Sequence, residues 1–211
     1  MVKLIMTKKE EISSLLLNRD FDSLKGLGSR ALRTLISLTY DRKDPICWQA
    51  IEAIGVIASS MSHEEARRLV QRILWMMREE SGGNPWSAPD ILGEIVRAKV
   101  DELSDIAPII VSFHDEEIFT EGVLRAIGRI AEVEPELVRN AGNIALGYIG
   151  HRSASIRGFA VYAVGLLRPE GYESALKERL NDSGLLDIYR DGRLMTTSVG
   201  ALALEALGGS P

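Results

Sequence analysis

Tryptophans, acids and arginines recur at fixed distances from five glycines, Gly55, Gly93, Gly128, Gly165 and Gly208, and these are the side chains best placed to do chemistry. Seven residues before each glycine stand Trp48, Trp86, Glu121, Gly158 and Ala201. Three before stand Glu52, Asp90, Arg125, Tyr162 and Glu205, and one after the first four stand Val56, Glu94, Arg129 and Leu166. On a helix these columns lie one turn apart and form a single stripe. Aromatic anchors beside charges of both signs are the chemistry of protein or peptide recognition. The competing reading is that Glu121, Arg125 and Arg129 form helix-face ion pairs worth roughly 0.2–0.5 kcal/mol each.

Catalysis has less to work with. His63, His114 and His151 are scattered, and no HxxxH, HExxH or CxxC spacing assembles a zinc site. The adjacent pair His63-Glu64 suits the first turn of a helix, where acids are favoured. No phosphate loop or Ser-His-Asp arrangement is legible. The single cysteine, Cys47, cannot form a disulfide within the chain and is expected to be a small buried side chain in a reducing compartment. Lys and Arg total 25 against 30 Asp and Glu, a net charge of −5 with a pI near 5.4, which disfavours nucleic acid as a partner. The opening MVKLIMTKKEE carries neither a secretory signal nor a spanning helix. The expectation is a cytoplasmic, non-enzymatic protein with no cofactor, no metal and no membrane partner.

The elements that position the stripe follow from a repeated phrase: small, two variable, small or apolar, aliphatic, glycine. It reads AIEAIG at 50–55, APDILG at 88–93, VLRAIG at 123–128, AVYAVG at 160–165 and ALEALG at 203–208. The glycines are 38, 35, 37 and 43 residues apart, the length of a helical-hairpin repeat. Glycine within a helix costs about 1 kcal/mol relative to alanine, so its return at one place implies a close crossing, expected against the partner helix of the same hairpin. Partner helices are expected over 29–41, 63–80, 101–114 with a kink at Pro108, 135–149 and 171–181. Asp44 should cap the first motif helix and Pro45 open it. The alternating LLDIYRDGRLMTT, centred on Asp191-Gly192, predicts a tight β-hairpin over 185–197. A capping helix is expected near 8–18 and a final helix near 197–207. The organisation is one domain of repeats at about 28–60, 63–99, 101–133, 135–168 and 171–209.

This phrase resembles the HEAT-like repeats of the bilin-lyase type, whose second helix carries x-R-x-x-A-x-x-A-L-G after a D-x-x-P turn. DPICWQAIEAIG matches apart from the arginine, and SIRGFAVYAVG carries Arg157 in a comparable place. The resemblance spans roughly residues 28–209. It implies an all-α, right-handed superhelix of about five hairpins in which the second helices line the concave side. Trp48, Glu52, Trp86, Asp90, Glu94, Glu121, Arg125, Arg129 and Tyr162 then become an exposed concave contact surface for a protein or peptide, with a homo-oligomer through the terminal helix as an alternative assembly. HEAT-repeat enzymes are the alternative class. A DNA alkylation-repair glycosylase would need the basic face that Glu52 and Glu94 spoil. An iron hydroxylase would need several His-Glu pairs. Membership of a repeat class does not make a chain a bilin lyase subunit.

One segment departs from the repeat. REESGGNPWSAPDILGE at 78–94 packs two glycines, two prolines and a tryptophan into a turn that is short elsewhere. Its E-S-G-G-x-x-W-x-x-P-x-x-x-G-E pattern resembles that of uncharacterised HEAT-like chains. Acids at a helix C-terminus oppose the helix dipole by roughly 0.3–1 kcal/mol, which marks Glu80 as a candidate partner-binding acid. The folding alternative makes Ser87 an N-cap with Asp90 three residues on, and staples Trp86 to Ile91.

Overall fold

The computed structural model describes residues 8–78 and 86–209, so Glu80 and the ESGGNP turn lie outside the described residues. Two short helices, α1 (Lys8–Leu17) and α2 (Phe21–Leu27), lead into α3 (Ser29–Leu38) and α4 (Pro45–Ser59). Then come α5 (His63–Arg78) and α6 (Ala88–Ala98), followed by α7 (Val100–Leu103), α8 (Ala107–Val111) and α9 (Thr120–Ala131). The chain continues through α10 (Ala141–Gly147), α11 (Ala154–Leu167), α12 (Tyr172–Lys177), β1 (Leu185–Arg190), β2 (Arg193–Ser198) and α13 (Val199–Ala206). Helices α4, α6, α9, α11 and α13 each pack on the next and form an inner row, backed by the remaining helices. No helix of the described residues is long and apolar enough to cross a membrane.

Local chemistry fixes the starts of several helices. The Asp44 carboxylate accepts the Ile46 amide at 2.9 Å and Pro45 occupies the first turn, as expected from the sequence. A capping box that the sequence reading passed over opens α5: Ser62 N–H donates to Glu65 at 2.9 Å, and Glu65 N–H donates to the Ser62 hydroxyl at 3.3 Å. The helix α2 was also missed. Asp20 starts it by accepting from the Ser23 amide at 3.1 Å and the Ser23 hydroxyl at 2.7 Å. Ser87 does not cap α6 with its side chain; its buried hydroxyl donates instead to the Thr39 carbonyl at 2.8 Å, tying the start of α6 to the end of α3. Pro108 does not kink one helix but opens another. A 3-10 turn at Ser104–Ile106 separates α7 from α8, whose first turn tolerates the missing amide hydrogen.

The motif glycines mark crossings between successive inner helices, rather than between the two helices of one hairpin. A Cβ on Gly55 would sit 2.9 Å from the Glu94 carbonyl oxygen of α6, one on Gly93 would sit 2.7 Å from the Ala126 Cβ of α9, and one on Gly165 would sit 2.5 Å from the Ala206 Cβ of α13. At Gly128 the space is filled by the Tyr162 ring. Gly208 differs from the other four: its φ of +84° follows the end of α13, a left-handed position that glycine adopts without strain.

The β-hairpin forms where the alternation places it. Arg190 pairs with Arg193 around Asp191 and Gly192, whose φ values of +50° and +78° give the left-handed backbone of a two-residue turn. Leu186, Ile188 and Tyr189 are buried. The hairpin starts beside α11, where Leu186 fills the space at Gly158, and β2 reaches α4 at the far end of the inner row.

Candidate functional site

The inner helices carry their charged stripe into a ladder of ion pairs. Asp90 accepts from Arg42 at 2.5 Å and from Arg125 at 3.2 Å, while Arg42 also donates to Glu121 at 3.0 Å. Arg129 makes bonds of 2.7 and 3.3 Å to Glu94 and one of 2.5 Å to Glu132, and the Tyr162 hydroxyl donates to Glu132. Arg42 and Arg125 each lie 4.7 Å from the Trp48 ring, and the Trp48 indole donates to the Arg42 carbonyl at 3.1 Å.

This arrangement corrects the expectation of an exposed surface. Trp48, Asp90, Glu94 and Arg125 retain 4, 0, 4 and 2% of their accessible area. The glycine contacts draw the inner helices so close that side chains on one helix reach acids on the next, and Arg42, from the turn before α4, reaches Asp90 and stacks on Trp48. Trp86 stands apart. It is half exposed and lines an apolar recess with Ile36, Tyr40, Ile73, Met76 and Ile91, the proposed staple residue. Of the sequence-selected residues, Glu52, Arg129 and Tyr162 line open space, and Glu121 is partly exposed at the ladder's edge.

That open space is a cleft of about 570 Å³. Glu52 of α4, Arg97 of α6, Arg129 and Glu132 at the end of α9, Tyr162 and Leu166 of α11 and Glu205 of α13 line it, together with Arg19 and with Arg190 and Asp191 of the hairpin. The hairpin is clasped across it. Arg19 grips Glu52 with two bonds of 2.9 Å, and the Tyr189 hydroxyl donates to Glu52 at 2.6 Å and accepts from Arg19 at 3.1 Å. Arg190 donates to both Glu205 oxygens at 2.8 Å and lies 5.3 Å from the Tyr162 ring.

The electrostatics follow from these partners. Burial opposes the charge on Glu132, but the Tyr162 hydrogen bond and the guanidinium groups of Arg129 and Arg97 outweigh it and hold the carboxyl below its ordinary range. Burial, with Glu132 beside it, pushes the Tyr162 phenol up; burial and Glu52 do the same to Tyr189. Both tyrosines therefore remain protonated donors at neutral pH.

Sequence reasoning missed Arg19, Arg42, Arg97, Glu132, Tyr189 and Arg190. Following the stripe three residues further along α6 and α9 would have reached Arg97 and Glu132. Arg19, Tyr189 and Arg190 come from chain ends that the repeat pattern does not relate to one another. The histidines lie outside the cleft: His63 contacts Arg67 and Glu102, while His114 and His151 both pack against Tyr148, and His151 accepts from the Ser153 amide. Among the described residues no group of three or more His, Cys, Asp or Glu could hold a metal ion.

The class defined by this architecture is an all-α solenoid of helical hairpins with a short C-terminal antiparallel β-hairpin. No family model matches the chain, and no curated protein matches it. Among solved structures it is similar to a designed armadillo repeat protein, YIII(Dq)4CqI, at 18% identity over 97% of this chain and 95% of that one, with a TM-score of 0.48. A likeness at that level bears on neither activity nor partner.

Proposed function

We propose that this protein is a non-enzymatic binding module whose inner-helix cleft receives a peptide segment of a partner protein. The observation that carries this reading is the cleft itself, whose volume lies within the roughly 300–1,000 Å³ of ligand sites and whose walls come from both ends of the solenoid. Its lining combines Tyr162 and Leu166 with charged groups of both signs, a mixture suited to a peptide and poorly suited to a phosphate backbone. Within this reading Glu52, Arg129 and Tyr162 meet the partner. Trp48, Asp90, Glu94, Glu121 and Arg125 hold the helices that present them, and Trp86 belongs to a second, outer contact; Glu80 stays a candidate partner-binding acid on sequence grounds alone. The reading also takes the repeats as HEAT-like and the location as cytoplasmic; the buried, unpaired Cys47 supports the latter.

The test is a randomised hexapeptide display selected on the purified protein, compared with a Leu166→Arg variant shown by circular dichroism to be folded. Leu166 is 39% exposed in the cleft, so the longer, charged side chain occupies space there without disturbing the core. Peptides enriched on wild type should lose binding to the variant. Enrichment of none, or of peptides indifferent to the variant, refutes the reading.

A further inference from the structure

Arg97 is the exception in the inner face. Arg19, Arg42, Arg125, Arg129 and Arg190 each donate at least one hydrogen bond to a carboxylate. Arg97 makes none among the described residues: its Nε is buried without a hydrogen-bond partner, 3.5 Å from a Glu132 oxygen, and its Nη1 lies 3.9 Å from Glu94. Those two acids are already engaged. Glu132 accepts from Arg129 and Tyr162, and Glu94 accepts from Arg129 twice and is paired with Arg125 at 3.7 Å. Arg97, about one-third exposed and lining the cleft, therefore keeps guanidinium N–H groups that no carboxylate of the described residues takes in a hydrogen bond, with neighbouring charge holding the group in place.

From this geometry we propose that the cleft binds a carboxylate of its ligand on the Arg97 guanidinium. The inference deepens the peptide-binding reading and rests on it. A guanidinium fork matches a carboxylate in two parallel hydrogen bonds, and a half-enclosed site strengthens them. Phosphate is disfavoured by the rest of the lining. Asp191, at the tip of the hairpin, joins Glu52, Glu132 and Glu205 in a lining whose cations are Arg19, Arg97, Arg129 and Arg190, so the cleft carries no excess of positive charge for a doubly charged group. The ladder around Arg97 is balanced: Arg42, Arg97, Arg125 and Arg129 stand against Asp90, Glu94, Glu121 and Glu132. A single negative charge is accommodated there more readily than a doubly charged group. The carboxylate is either an Asp or Glu side chain or the C-terminus of a chain.

The experiment uses hexapeptides selected on the wild-type protein, each resynthesised in three forms: unchanged, with its C-terminus amidated, and with each Asp or Glu replaced by Asn or Gln. One of the two neutralised forms should weaken binding roughly tenfold or more, and which one does so names the source of the carboxylate. Arg97→Gln should abolish the difference between charged and neutralised peptides, and Arg97→Lys should retain part of it because charge survives without the fork. Because the peptide arms leave the protein unaltered, a variant that failed to fold would not remove the test. Peptides that lose binding to Leu166→Arg yet bind equally well when neutralised overturn the carboxylate proposal while leaving the cleft as a binding site. If no selected peptide depends on the cleft, both fall.

Discussion

Removing the Asp90 carboxylate tests whether the inner stripe is a buried framework. Asp90 has no accessible surface and lies between Arg42, one-fifth exposed, and Arg125, 2% exposed. In Asp90→Ala, the carboxylate left to Arg125 is Glu94 at 3.7 Å, a partner that Arg129 also holds at 2.7 Å. Breaking a buried pair on one side leaves an uncompensated charge, at a cost of about 3–5 kcal/mol. With a urea m-value of about 3 kcal/mol/M, the midpoint should fall by roughly 1–1.7 M, followed by circular dichroism. Two controls sharpen the result. Glu121→Gln removes the partly exposed partner of Arg42 and should cost at most about 1 kcal/mol. Asp90→Leu combined with Arg125→Met removes both charges and should recover most of the loss, because the penalty lies in the orphaned ion. An Asp90→Ala midpoint within error of wild type would refute the framework, because the buried Arg125 would then tolerate the loss of its carboxylate at no cost.

The remaining expectations address the clasp, the helix crossings, the cysteine and the response to acid. Tyr189→Phe deletes the hydrogen bond to Glu52 and the one accepted from Arg19 and should cost about 1 kcal/mol, read as roughly fivefold faster amide exchange confined to residues 185–198; unchanged exchange there would mean that the hairpin is held elsewhere. Gly93→Ala forces a Cβ to within 2.7 Å of Ala126 and should destabilise by about 1–3 kcal/mol in thermal melts, whereas a neutral effect would show that the inner helices can separate freely. Burial pushes the Cys47 thiol up to about 11, so it should resist an aromatic disulfide reagent at pH 8 and react as the protein unfolds in urea. Asp182 is held below its ordinary value of 3.8 by hydrogen bonds from Arg157, so its contribution is fully present above that value and is lost as pH falls through the lower folded one. Asp182→Asn should accordingly flatten the loss of stability below pH 4, measured by urea titration across pH.

The inner helices and the β-hairpin were legible because each depends on local order: a period of glycines, capping side chains and an Asp-Gly turn. The outer helices were legible in place but not in continuity: the expected span 101–114 breaks at a 3-10 turn between α7 and α8, and the expected span 135–149 is a 3-10 turn at Pro135–Val138 followed by α10. The exposure of the stripe was not legible. Column position places Asp90 and Arg125 on the same strip of successive helices, but the approach distance between those helices decides whether the strip meets water or meets itself. Gly55 and Gly93 set that distance, and their role was assigned to the wrong neighbour. The cleft was partly legible in Glu52, Arg129 and Tyr162. Arg19, which lines it, bonds Tyr189 across 170 positions, a pairing for which the repeat pattern holds no signal.

The hairpin resolves a problem that a helical array poses at its ends. Each repeat relies on a neighbour for burial, so terminal faces need covering. Here α1 and α2 cover one flank of α4, and the hairpin extends from α11 and α13 back to α4. The Arg19–Glu52–Tyr189 cluster therefore ties the first inner helix to the last elements of the chain. The same connection brings Arg190 and Asp191 to the cleft that Arg97 also lines, although they are remote in sequence. Weakening the clasp should therefore both loosen the hairpin and disturb the binding walls. A variant such as Tyr189→Phe that loosened the hairpin without changing peptide affinity would separate the end-capping role from recognition.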